Sequence, residues 1–160
     1  MGINNSLLAL RPDMHIITEF IIWHAEGCGE KLIVNETLRT QPVQSAYFAQ
    51  GRNDLPMVNG LRKEAGLWSI SEAENKRIVT NVQKLSTTQG HGAGLAVDFV
   101  PNGKWDSPAE KWNVIGQAVE SAKKMFENYL TLRNAELIWG GSWVLNGGGA
   151  DKPHVELKYK

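Results

Sequence analysis

A chain of 160 residues is long enough to bury roughly two thirds of the surface its unfolded form exposes, so one domain spanning 1–160 needs no disulfide or metal staple. Its 17 basic and 17 acidic residues cancel, and no long basic stripe runs through them, which argues against nucleic acid as a partner. The only cysteine, Cys28, excludes an internal disulfide and a thiolate metal cluster, and no apolar run is long enough to cross a bilayer, so no stable membrane association is expected.

The opening "MGINNSLLALRPD" lacks the basic start, long apolar segment and small-residue cleavage site of a secretory signal. Its fit to the short myristoylation pattern is a match that recurs by chance. From Pro12 to about Glu26, Ile17, Phe20, Ile21 and His24 recur at helical spacing, with Pro12 in the first turn and Gly27 as a stop. "KLIVNET" (Lys31 to Thr37) reads as a strand, and "TQPVQSAYFAQG" as a short helix opened near Pro42 and closed at Gly51. Residues 52 to 70, punctuated by glycine and proline, read as irregular; "SEAENK" starts a short helix and "RIVTNV" (Arg77 to Val82) reads as a strand.

Ala93 to Val100 reads as a further strand, followed by a "PNGKWD" turn and a long helix from Ser107 to about Asn128. A capping box of Ser107 and Glu110 opens that helix, and Trp112, Ile115, Val119, Ala122 and Phe126 mark its core face. Two more strands, Glu136 to Trp139 and His154 to Tyr159, flank a glycine-rich loop, Gly147 to Gly149, that is either slack or a lid.

"GHGAGLAVDFV" (Gly90 to Val100) sets one charge, Asp98, inside an apolar strand. Strand side chains alternate, so Leu95, Val97 and Phe99 face a core, while Gly94, Ala96 and Asp98 share the other face with little bulk beside the carboxylate. A carboxylate withdrawn from water needs a cation, donors or a metal. Pairing with an arginine or capping a turn answers that need as well as a metal does, and His91 just upstream is either a ligand or an ordinary loop histidine. These glycines precede a strand rather than open a helix, so they do not make a dinucleotide-binding loop.

The chain has four histidines. His15 and His24 lie nine positions apart on one helix, on opposite sides, and cannot share a metal. His91 and His154 remain, and with Asp98 they supply the three-ligand set of a catalytic zinc site. In "ADKPHVEL", Glu156 lies two residues past His154 and points the same way, which suits orienting an imidazole. Asp151, in the preceding loop, suits the general base.

"HGAGLAVD" (His91 to Asp98), "WGGSW" (Trp139 to Trp143) and "DKPHVEL" (Asp151 to Leu157), in that order, resemble the zinc D-alanyl-D-alanine carboxypeptidases and L-alanyl-D-glutamate endopeptidases of bacterial cell-wall metabolism and phage lysis. "ETLRT" (Glu36 to Thr40) with "AQGR" (Ala49 to Arg52) is similar to the family's upstream block. The resemblance implies an α+β fold, helices packed on a small, mainly antiparallel sheet, as in the hedgehog and D-Ala-D-Ala peptidase folds. It implies one zinc ion per chain on His91, Asp98 and His154, with Asp151 as base and Arg39 binding substrate and stabilising the oxyanion. Arg39 as a structural ion-pair partner is the alternative. Trp143 is either a turn aromatic or a wall of the substrate cleft. The chain departs from the family pattern at Gln89, Ser142 and Val155, which bear on fine specificity.

The implied substrate is the peptidoglycan stem peptide, cut by a monomer of phage-endolysin type made in the host cytoplasm and reaching the wall after another protein opens the membrane. The motifs do not separate cleavage of L-Ala–D-Glu from D-Ala–D-Ala, and a D-alanyl-D-alanine carboxypeptidase of bacterial origin is the alternative. A non-catalytic zinc module, as in the hedgehog signalling domain, and a thiol hydrolase using Cys28 are the competing classes.

Overall fold

Apolar periodicity along the chain folds it into six α-helices and a four-stranded antiparallel sheet in the computed structural model, which describes residues 2–143 and 150–160. The expected Gly147 to Gly149 loop lies outside the described residues. The strands are β1 (Leu32–Glu36), β2 (Ala96–Pro101), β3 (Ala135–Trp139) and β4 (His154–Tyr159), in the spatial order β1-β2-β4-β3. The helices are α1 (Pro12–Gly27), α2 (Gln41–Ala49), α3 (Leu55–Glu64), α4 (Glu72–Asn75), α5 (Ala109–Met125) and α6 (Glu127–Leu132). This is the expected α+β arrangement. Among the described residues, no helix is long and apolar enough to cross a membrane.

One face of the sheet is dry. Met14, Ile17 and Ile21 of α1 and Trp112, Ile115 and Val119 of α5 form one cluster with Val97 and Phe99 of β2, Leu137 of β3, and Val155 and Leu157 of β4. Each fully buried aliphatic or phenylalanine side chain there contributes about 1.5–3 kcal/mol. Alternation along β2 and β4 therefore commits Asp98, His154 and Glu156 to the opposite face. A smaller cluster of Val43, Ala46, Ala65 and Leu67 holds α2 to the chain that follows α3.

Four elements differ from the sequence reading. Residues 52 to 70 are not irregular throughout: Asp54 caps α3, its carboxylate accepting from the Met57 backbone N–H at 3.1 Å, and Pro56 sits in the first turn, where its missing donor costs nothing. Val58 is the one buried residue of α3, so the helix carries no apolar stripe to betray it. Arg77 to Val82 is not a strand. Ile78, Val79 and Val82 are exposed, and the segment's carbonyls are taken by side chains, Thr80 O by Arg52 and Val82 O by Gln44.

Ala93 to Val100 begins its strand only at Ala96, because Gly90–Ala93 coils into a single helical turn closed by Gly94 at φ 68°. The long helix runs Ala109–Met125 and restarts as α6. Its expected capping box is absent, since Pro108 is the N-cap and the Ser107 hydroxyl donates to Pro101 O at 3.2 Å. A capping box does form, between Ser71 and Glu74 of α4.

Candidate metal centre

Strand register brings the first two candidate ligands together. β2 and β4 pair so that Asp98 lies opposite His154 and Ala96 opposite Glu156. Ala96 offers no bulk, which leaves the carboxylate and imidazole room to meet. His154 Nδ1 lies 3.1 Å from Asp98 Oδ1, and its Nε2 lies 3.6 Å from Glu156 Oε2.

The third candidate comes from the turn before β2. Gly94 closes that turn in a left-handed conformation, and a Cβ there would sit 2.9 Å from Ala9 O, so a larger residue is both strained and crowded. The turn folds His91 back over β2, where its Nε2 lies 3.2 Å from the same Asp98 Oδ1. His91 Nδ1 lies 2.7 Å from Thr37 O. A carbonyl only accepts, so Nδ1 carries a proton and Nε2 is the nitrogen turned to the centre, a donor to Asp98 when the ring is charged and a lone pair for a metal when it is neutral. Thr37 is itself pinned: its N–H and hydroxyl both donate to Asn4 O, at 2.7 and 3.0 Å.

Electrostatics knit the cluster tightly. Burial raises the Asp98 pKa, yet the charge of His91 and hydrogen bonds from both imidazoles hold it well below the usual carboxylate range. Burial lowers His154, but the hydrogen bond to Asp98 and the Glu156 carboxylate facing its far nitrogen prevail and push it up to about 10. Glu156 is lowered chiefly by that pairing with His154. Two imidazoles converging on one carboxylate oxygen place their donors where a cation would sit.

The donor set fits zinc. One atom from each of His91, Asp98 and His154 lies within 4.8 Å of the others. Ligands at 2.0–2.2 Å from a tetrahedral ion stand about 3.3–3.6 Å apart, close to the 3.2 and 3.1 Å that separate Asp98 Oδ1 from the two imidazoles. The outer partners also suit metal binding, since Thr37 O fixes the tautomer of His91 and Glu156 faces the far nitrogen of His154.

Asp151 is brought beside this cluster by a close approach. A Cβ on Gly140 would fall 2.5 Å from Asp151 O and 3.1 Å from His154 Cβ, so only glycine lets the two segments touch. Asp151 N–H donates to Gly140 O at 3.0 Å, and the Trp139 indole N–H donates to Lys152 O at 2.8 Å. The Trp139 ring lies against Gly116 of α5 and Gly141, where added methyl groups would overlap it. "WGGSW" thus ties the Asp151 segment to the core. Asp151 touches solvent, yet the protein packed around it makes burial the leading cause that lifts its pKa, with Asp98 adding to the rise.

Trp143 lies beside His154, with ring centroids 5.2 Å apart. Arg39 also reaches the centre, its Nη2 lying 3.7 Å from Asp98 Oδ2 and 2.5 Å from Oε2 of Glu36, the β1 residue opposite Asp98. Glu36 and Gln44, both buried beside Arg39, were not singled out by sequence reasoning. The signal for Glu36 was present: like Asp98, it is one charge in an apolar strand. His15 and His24 stay apart from the site; His24 faces Ser121 and His15 faces Glu19. Cys28 is exposed at the end of α1.

No protein-family profile matches the chain, and no curated protein matches it in sequence. Among solved structures, the crystal structure of the Serratia marcescens L-Ala D-Glu endopeptidase ChiX is similar, with 20% sequence identity and a TM-score of 0.53 over 95% of this chain and 83% of that one. The α+β fold of this chain is therefore one that it shares with a peptidase.

Proposed function

We propose that the protein is a zinc-dependent peptidase of peptidoglycan, cutting the L-alanyl-D-glutamate bond of the stem peptide in the manner of a phage endolysin. The observation that carries this reading is the meeting of two imidazoles and one carboxylate within 4.8 Å on the open sheet face of a fold shared with an L-Ala D-Glu endopeptidase. His91, Asp98 and His154 would hold the ion. Zinc bound there supplies Lewis-acid chemistry, polarising a carbonyl and making water more acidic.

Asp151 takes the proton of the attacking water and returns it to the leaving amine; a pKa lifted by burial suits a group that must do both. Glu156 orients His154, and Trp143 walls the cleft beside it. Arg39 adds positive charge on the Asp98 side of the site. The setting proposed is synthesis in the host cytoplasm and action on the wall once another protein has opened the membrane.

The test is digestion of purified peptidoglycan with the zinc-loaded protein, with and without a chelator, followed by mass spectrometry of the fragments. Cleavage after L-alanine that stops with the chelator is expected. Release of terminal D-alanine alone would reassign the bond, and retained zinc with no cleavage would make the chain a binding module.

A further inference from the structure

An arginine that binds substrate has to present its donors to the cleft. Those of Arg39 are turned into the protein. Its Nη2 donates to Glu36 Oε2 at 2.5 Å and lies 3.7 Å from Asp98 Oδ2, and its Nη1 donates to Gln44 Oε1 at 3.0 Å. Its Nε is buried without a partner among the described residues, and its guanidinium stands over the Tyr47 ring, 5.0 Å from the centroid. The side chain is 13% exposed.

The strand pairing explains why it is held there. Across the β1–β2 ladder, Glu36 is the partner of Asp98, brought into place by an irregularity in β1 between Val34 and Glu36. Two carboxylates facing one another across a ladder repel, and Glu36 is only 2% exposed. Arg39 is the cation between them. Gln44, itself 1% exposed, then clamps the other end of the guanidinium while its amide donates to Val82 O. The buried polar side-chain atoms left without partners among the described residues, Glu36 Oε1, Arg39 Nε and Thr40 Oγ1, all lie in this five-residue stretch. Such unmet groups are kept where function outweighs stability.

We infer that Arg39 is a positioning residue, anchored by the buried Glu36, that engages the outer oxygen of Asp98 so that the inner oxygen faces His91 and His154. The inference rests on the metallopeptidase reading of the site. It gives Arg39 a role on the ligand set in place of a donor role toward substrate, and it brings in Glu36 as the anchor of that role.

The experiment measures zinc affinity of the full chain by competition with a chromophoric chelator, and kcat and KM separately at saturating zinc, for Glu36→Gln, Arg39→Lys and the double variant. Lysine keeps the charge but loses the fork that reaches Glu36, Gln44 and Asp98 together. Each single variant is expected to weaken zinc binding by about 10–100-fold with KM within about twofold of the parent, and the double variant to lose little more than either single one. Unchanged zinc affinity with a raised KM, or a lowered kcat at full zinc occupancy, would overturn the inference and make Arg39 a substrate contact. Circular dichroism checks folding, and Arg39→Lys carries the test alone should Glu36→Gln unfold. A parent chain that binds no zinc would instead defeat the metallopeptidase reading itself.

Discussion

Asp98 and Asp13 are built alike and behave differently. Each is a carboxylate on which two ring side chains from remote parts of the chain converge: His91 and His154 on Asp98, Tyr129 and Tyr159 on Asp13. Burial raises both pKa values, and in both the ring partners prevail and lower them, the charge of His91 with imidazole hydrogen bonds at Asp98 and phenol hydrogen bonds at Asp13. The donors make the difference. Burial and the bond to Asp13 push the Tyr159 phenol well above its usual range, so it keeps its proton and donates it to Asp13, and the joint clasps α1 to the end of β4. An imidazole that gives up its proton exposes a lone pair to a metal. Convergence of rings on a carboxylate is therefore a structural device until the rings are histidines.

The sharpest way to break the comparison is to neutralise each carboxylate. Asp98→Asn should abolish stoichiometric zinc and hydrolysis, whereas Asp13→Asn should keep full zinc content, read by elemental analysis of the purified proteins. Equal zinc in both would remove Asp98 from the ligand set. Next in size, Asp151→Asn should keep zinc yet lose on the order of 10²–10⁴ in rate. Full activity in that variant would clear Asp151 of any proton transfer.

In the metal-free protein both lowered carboxylates, Asp98 and Asp13, lose their contribution in acid, while the imidazole of His154 adds a loss in alkali. His154 is raised from 6.5 to about 10, so its contribution to stability is complete below about pH 6.5 and is lost as pH climbs toward 10. Asp13 is lowered from 3.8, so its contribution is present above that pH and is lost in acid. Melting temperatures from pH 3 to 10 should fall at both ends, the alkaline fall disappearing when zinc is added. A flat alkaline limb without metal would contradict the His154 assignment. The smallest effect is that of Tyr159→Phe, which removes one donor to Asp13 and should cost about 0.5–1.5 kcal/mol in denaturant unfolding, with zinc affinity unchanged.

The parts of the fold that were legible are those where burial imposes a period. In α1, Met14, Ile17, Ile21 and Ala25 form a buried stripe, and β1, β3 and β4 fall within a residue or so of their expected bounds. α3 was illegible because Pro56 and Gly60 look like breaks while the helix buries little. The apolar run at Ile78, Val79 and Val82 misled for the opposite reason, since β-branched residues make a strand only where a ladder partner waits. In the site, His91, Asp98 and His154 were legible as rare groups set in small or apolar surroundings. Gln44 was not, because an amide on an amphipathic helix carries no mark of the guanidinium it will hold.

The pairing of β2 with β4 also makes the centre a proofreader of folding. Asp98 and His154 are 56 residues apart, and a slip of one position between their strands would drive the imidazole into the hydrocarbon interior and put Val155 in its place. A nascent or misregistered chain therefore has no place to capture an ion. Metal uptake would then report that a non-local pairing of the sheet has formed in the right register.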